Sequence, residues 1–375
     1  MPALLPDIDP DGLQEFSVVF TDRALNHMSA AFQQVMRDIS ATLREVYNAD
    51  AVALVPGGGT YAMESVARQL ATGEKVLVIR NGWFSYRWSQ IFAAGNMVDE
   101  EVVLSARREG NGPDAPFAPP PLDEAVARIR AEAPAVVFAP HVETASGMIL
   151  PDAYIRALAE ATHASGGLFV LDAIASGCVW VDMKALGIDV LISAPQKGWS
   201  ATPSAGLVML NAAARERVEA RESTSFAVDL KKWLTIMQAY EGGGHAYHAT
   251  MPTDALRALS AAMEEARGIG FDRLFEAQWD LGNRVRALLA ARGVKSVAAD
   301  GFGAPGVVVS FTEDPGLKDG SKFAAAGLQI AAGVPLMVGE GEGFSSFRIG
   351  LFGLDKLSDV GATVARLEAA LDRVF

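Results

Sequence analysis

Cysteine is almost missing from this chain. The 375 residues include one, Cys178, which excludes an internal disulfide framework and paired-cysteine metal sites and makes a reducing cytoplasm the simplest expectation. No run of 18 or more apolar residues occurs, so no membrane span is expected. The opening MPALLPDIDPDG is acidic and has no basic segment followed by an apolar core, so no signal peptide is expected. Basic residues are in deficit, 32 Lys and Arg against 45 Asp and Glu for a net charge of −13. Nucleic-acid binding needs clustered Lys and Arg, so that class of partner is not expected. No internal repeat and no low-complexity tract is visible. What remains is an ordinary globular composition, 50% hydrophobic and 21% charged, in a chain long enough for two packed domains.

The most informative stretch is 167–211, GGLFVLDAIASGCVWVDMKALGIDVLISAPQKGWSATPSAGLVMLN. Its apolar runs at 168–171 and 190–192 have the composition of buried parallel strands. Each ends in polar groups, Asp172 after the first and Gln196-Lys197 after the second. In open α/β sheets, ligands sit at that carboxyl rim. A carboxylate and an amine 25 residues apart, both at strand ends, suit pyridoxal phosphate: the lysine forms a Schiff base with the aldehyde and the aspartate partners the pyridinium nitrogen. The plainer alternative is a helix cap at Asp172 and a solvated surface charge at Lys197.

Earlier in the chain, Phe32, Met36, Ile39, Leu43 and Val46 fall on one face of a helix over 28–47. A strand at 51–54 leads into PGGGTYAMESVARQL, a glycine cluster and a helix that starts near Tyr61. Backbone N–H groups at such a start form an anion cup, so Gly58, Gly59 and Thr60 are candidates to grip a phosphate; an unadorned glycine turn is the alternative. Neither the P-loop nor the dinucleotide fingerprint is present. A strand at 75–79 precedes NGWFSYRW, whose aromatics either pack or stack on a flat cofactor. Residues 110–121 form a loop, a helix follows, and a strand at 135–139 ends in PHVETASG. His141, Glu143 and Thr144 thereby reach the same rim, though one His and one Glu two apart make a poor metal site. Strand–helix alternation to about residue 211 predicts a doubly wound, mostly parallel sheet. Helices follow near 212–221 and 229–240, then a glycine-rich turn and a long helix opened by Thr253. Beyond about 257 the pattern changes to a long helical stretch, strands at 307–311 and 347–351 and a closing helix at 360–374, the signature of a smaller α+β domain.

GGGTYAME (57–64), NGWFSYRW (81–88), HVETASG (141–147), LDAIAS (171–176), ISAPQKG (192–198), AYHATMP (246–252) and FRIGLFG (347–353), in this order and spacing, resemble the class V (fold-type I) aminotransferases that use pyridoxal phosphate, in particular the alanine/serine:glyoxylate or pyruvate branch. The resemblance covers about residues 28–375. It implies an α/β chain of fold type I, with a large cofactor-binding domain over 17–256 and a small α+β domain over 257–375 together with 1–16. Lys197 is then the Schiff-base lysine and proton carrier, and Asp172 the pyridinium partner. Phe84, or Trp83 one residue earlier, stacks on one ring face, and Ile174 packs on the other. Thr144 donates to the phenolic oxygen. Gly58, Gly59, Thr60 and Gln196 form the phosphate cup. Tyr247 and Thr250 reach the phosphate of a neighbouring subunit, which implies a homodimer with the site at its interface. Arg348 clamps the substrate carboxylate, its alternative being a structural ion pair in the small domain.

Two departures bear on specificity. The segment EFSVVFTDRALNHMS stands where the family commonly has a glycine-proline-rich segment, and Pro195 replaces a small hydroxyl residue before the Gln-Lys pair. The expected activity is ping-pong transfer of an amino group from a small amino acid such as alanine or serine to glyoxylate or pyruvate. The rivals are 2-aminoethylphosphonate as donor to pyruvate, which asks for additional basic groups not legible here, a cysteine desulfurase or lyase, for which Cys178 is poorly placed, and a non-catalytic binder of the cofactor. No metal is expected.

Overall fold

The computed structural model describes residues 16–18, 20 and 24–375. The opening dodecapeptide and the first fifteen residues assigned to the small domain lie outside the described residues, as do several positions of the 15–29 segment.

Ser29 opens the first helix, α1 (Ala30–Tyr47), by accepting a hydrogen bond from the Phe32 N–H at 3.1 Å. Its apolar stripe, Phe32, Met36, Ile39 and Leu43, is buried. The chain then alternates β1 (Ala51–Pro56), α2 (Gly59–Leu70), β2 (Lys75–Arg80), α3 (Trp83–Gly95), β3 (Glu100–Ser105), α4 (Leu122–Glu132), β4 (Val136–Pro140), α5 (Asp152–Ala164), β5 (Leu168–Asp172), β6 (Val190–Ser193) and β7 (Ala205–Leu210). These strands form one seven-stranded sheet in the order β1-β7-β6-β5-β4-β2-β3. Neighbours among β6, β5, β4, β2 and β3 pair in parallel, while β7 is antiparallel to both β1 and β6. Burial on both faces explains the unbroken apolar runs of the central strands. The mostly parallel α/β sheet matches the expected class. The helix after the glycine cluster begins at Gly59, two residues ahead of the expected Tyr61, because the Gly58 carbonyl already accepts from the Tyr61 N–H at 3.0 Å.

Helices α6 (Ala212–Ala220), α7 (Leu230–Glu241), α8 (Thr253–Ile269) and α9 (Phe271–Ala290) lead to a three-stranded antiparallel sheet, β8 (Val307–Phe311), β9 (Ala331–Ala332) and β10 (Ser346–Gly350), with β10 in the middle. Helix α10 (Val360–Val374) closes the chain. One hydrophobic core fills the space around the large sheet and a second lies between α9, α10 and the small sheet. Helix α8 serves both: Leu256, Leu259 and Met263 face the first core and Ala266 the second. Position 257, where the sequence pattern changes, thus falls inside this helix. Among the described residues no helix is long and apolar enough to cross a membrane.

Candidate active site

Strands β5 and β6 lie side by side with Ile192 opposite Asp172, so the segments leaving their carboxyl ends emerge together. Asp172 is the last residue of β5, and Gln196 and Lys197 follow β6 by a short turn. Both open into a cavity of about 400 Å3, the position expected for a ligand in this type of sheet. The cavity is lined by Gly59, Thr60, Phe84, Thr144, Asp172, Ile174, Gln196, Lys197 and Arg348, nine of the residues singled out from sequence. The aromatic is Phe84; Trp83 packs instead against Tyr86, ring centroids 5.8 Å apart. Gly58 stands one residue outside the lining. Tyr247 and Thr250 do not line this cavity: they meet each other at 3.2 Å on an exposed face, where the Tyr247 ring lies 5.5 Å from that of His27.

The Asp172 carboxylate is buried, and Oδ1 accepts one hydrogen bond, from the Ile174 N–H at 3.0 Å. Burial drives its pKa up to about 7; the nearby Glu143 charge adds to the rise, while the Ile174 N–H and Arg87 oppose it. The Lys197 amine is pushed below its ordinary value, first by burial and then by the Arg348 charge, and Nζ sits 5.1 Å from the centre of the Phe352 ring. Its turn is closed by the Ser200 N–H donating to the Lys197 carbonyl at 3.1 Å. Ser200 has φ 55, and its Oγ accepts from the Leu354 N–H at 3.1 Å, which ties this turn to the C-terminal part of the chain. Arg348 comes from β10 across the cavity. Its Nε donates to the Ala332 carbonyl at 2.9 Å; both terminal nitrogens have no protein partner among the described residues.

Glu143 is fully buried. Oε1 accepts from the N–H groups of Phe84 (3.1 Å) and Ala145 (3.0 Å), and Oε2 from the N–H (2.8 Å) and the hydroxyl (2.7 Å) of Ser85. The carboxylate thus caps the amino end of α3 and fixes Phe84 relative to the loop that carries Thr144. A Cβ at Gly82 would lie 2.7 Å from Glu143 Cγ, so only glycine admits this approach. His141 Nδ1 pairs with Ser176 Oγ at 2.7 Å, and burial lowers the pKa of the ring to about 4. With Glu143 committed to α3, these two rim residues form no metal pair, and no cluster of three potential metal ligands exists among the described residues.

Of the lining residues that sequence reasoning did not single out, Arg87 and Phe352 bring a charge and an aromatic ring to the cavity. Arg87 stands three positions after Phe84 on α3, the helical spacing that shares a face, and this was the available signal. Phe352 had none beyond its place in FRIGLFG.

Three observations show that the lining fits pyridoxal phosphate. Buried Gln196 Oε1 has no hydrogen-bond partner among the described residues, and Gln196 lines the same cavity as Gly59 and Thr60 of α2. A Cβ at Gly59 would lie 2.5 Å from Ile174 Cδ1, so glycine there keeps the helix start and the Ile174 side chain close together at one wall of the cavity. Finally, a buried carboxylate and an amine whose basicity burial lowers face the same space.

The family model described as Aminotransferase class-V matches residues 13–300. A protein of Synechococcus sp. (strain PCC 6716) named soluble hydrogenase, small subunit, is 26% identical over 92% of this chain and 87% of its own length. The 2-aminoethylphosphonate–pyruvate transaminase of Burkholderia mallei (strain SAVP1) is 29% identical over 92% of this chain and 89% of its own. Among solved structures, the alanine–glyoxylate aminotransferase of Nostoc sp. superposes with a TM-score of 0.78 at 22% identity, covering 94% of this chain and 89% of that one.

Proposed function

The chain belongs to the class-V aminotransferases, enzymes that work with pyridoxal phosphate, and from that premise we propose that it moves the amino group of a small amino acid such as alanine or serine to glyoxylate or pyruvate by a ping-pong mechanism. The observation that carries this reading is the convergence of Lys197, Asp172 and Arg348 on one cavity. The names of the Nostoc and Burkholderia relatives, glyoxylate for one and pyruvate for the other, support the class of acceptor.

Gly58, Gly59, Thr60 and Gln196 would hold the phosphate, Phe84 and Ile174 the ring faces, Thr144 the phenolic oxygen and Lys197 Nζ the aldehyde carbon. The bound group supplies an aldehyde carbon that exchanges with the amino group and a ring that accepts electrons. Asp172 would face the ring nitrogen and keep a proton on it, and a cationic partner there would favour the carboxylate against the upward push of burial. Arg348 offers its two free terminal nitrogens to the donor carboxylate, a planar bidentate match that lysine lacks. With the donor held, Lys197 Nζ would take the proton from the donor Cα and carry it toward the carbon that the aldehyde supplies. Burial and Arg348 favour the neutral form of the amine, which is the form that accepts this proton. The same residues run the second half in reverse with the acceptor. Cys178, buried and hydrogen-bonded through Sγ to the Gly198 carbonyl at 3.4 Å, is no mobile nucleophile, which counts against the desulfurase reading.

We further read the active form as a homodimer in which Tyr247 and Thr250 complete the phosphate cup of the partner, and the setting as cytoplasmic. A panel of L-amino acids and 2-aminoethylphosphonate, each mixed with the cofactor-loaded enzyme, tests the substrate class. Alanine or serine should bleach the visible absorbance, and glyoxylate or pyruvate should restore it. Response to 2-aminoethylphosphonate alone would establish the rival donor, and no response to any amine would leave a cofactor carrier.

A further inference from the structure

Of the residues assigned to the phosphate cup on this chain, Gly58, Gly59, Thr60 and Gln196, none carries a charge. A phosphate monoester brings roughly 1.5 to 2 negative charges at neutral pH, and a helix start offsets about half of one. The chain as a whole, at −13, gives no background help. Arg87 lines the same cavity. Its Nη1 donates to Thr60 Oγ1 at 3.0 Å, and its guanidinium carbon lies 5.2 Å from the centre of the Phe84 ring. Like Arg348, it forms no ion pair among the described residues.

We propose that Arg87 is the cationic member of the phosphate-binding cup and acts through Thr60; this rests on the reading of the cavity as a pyridoxal phosphate site. A threonine hydroxyl has one proton to give and two lone pairs to receive. With one lone pair occupied by the Arg87 N–H, the hydroxyl proton is left to point at an acceptor in the cavity. The result is a charge-assisted relay from guanidinium to hydroxyl to phosphate oxygen, in which each bond strengthens the next. The Phe84 ring supports the guanidinium on its other side. Arg87 is held by Thr60 at the start of α2; Arg348, whose guanidinium carbon lies 5.7 Å from the centre of the same Phe84 ring, makes no bond to Thr60 and is left as the cation for the substrate.

The test uses full-length cofactor-free protein, titrated with pyridoxal phosphate, with pyridoxal and with inorganic phosphate, and read by tryptophan fluorescence. Arg87→Gln should weaken pyridoxal phosphate and inorganic phosphate by about tenfold or more, yet change pyridoxal by less than about twofold. Thr60→Val should do much the same, and the double variant should lose little beyond the worse single one, because the two act as one unit. Arg87→Lys, which keeps the charge, should recover part of the loss. Equal weakening of pyridoxal and pyridoxal phosphate would mean a merely structural role and overturn the proposal. Unchanged cofactor affinity with a raised KM for an anionic donor would assign Arg87 to the substrate and overturn it likewise. Failure of the unsubstituted protein to take up pyridoxal phosphate at all would sink the functional reading itself, an outcome separate from uptake that is indifferent to Arg87.

Discussion

Asp172 is costly to the protein before any ligand arrives. Its carboxyl, driven up to about 7 mainly by burial, still holds a proton at pH values where the unfolded chain has released its own. Stability therefore declines as pH rises from the ordinary carboxylate range through about 7, and stays reduced above it. Asp172→Asn removes that burden. The cofactor-free variant should melt higher at pH 8, by at most about 4 kcal/mol of added stability, with the gain vanishing near pH 4; calorimetry at the two pH values checks this. Turnover should drop by at least about 100-fold, since an amide does not keep the ring nitrogen protonated. Cys178 makes the opposite case. Burial pushes its thiol up to about 12, so iodoacetamide at pH 8 should label the protein only after unfolding, and Cys178→Ala should retain turnover within about threefold.

At the scale of elements, the capping of α3 by Glu143 decides how Phe84 is presented. Glu143→Ala leaves three N–H groups and one hydroxyl without their acceptor and should lower stability by about 2–4 kcal/mol, seen as a lower urea midpoint at unchanged slope. Glu143→Gln keeps the shape but turns an NH2 toward those donors and should fall between the two. In sequence Glu143 is visible only as a polar residue at a strand rim, because its partners on α3, Phe84 and Ser85, lie 59 and 58 positions away. The central strands β5 and β6 are legible because strands buried on both faces need continuous apolar runs, and Asp172 and Lys197 stand out as the first polar groups beyond them. Strand β3, EEVVLS, gives no such signal: it lies at the sheet edge with one buried residue. The insertion of β7 between β1 and β6 is equally hidden, since strand order is fixed by contacts with chain about 150 residues distant. The start of α2 is displaced from Tyr61 to Gly59 for a related reason: a poor helix former is used there because Ile174, far along the chain, demands the space.

The molecule as a whole leaves large apolar side chains in water. Phe226 is 76% exposed, Tyr247 57% and Tyr61 54%, and the Phe226 ring rests on that of His248, 4.6 Å between centroids. Such a surface suits the homodimer proposed above. Sedimentation should report about twice the 39.6 kDa mass of the chain, and Phe226→Asp should shift the population toward the single chain and weaken cofactor retention with it. The bond from Leu354 to Ser200 has a consequence of another kind. Lys197 hangs on the turn that Ser200 closes, and Leu354 follows Arg348 by six residues. A swing of the C-terminal sheet that kept this bond would tow the amine in the same stroke, so that the grip and the proton carrier would be geared to one another as two teeth on a single wheel.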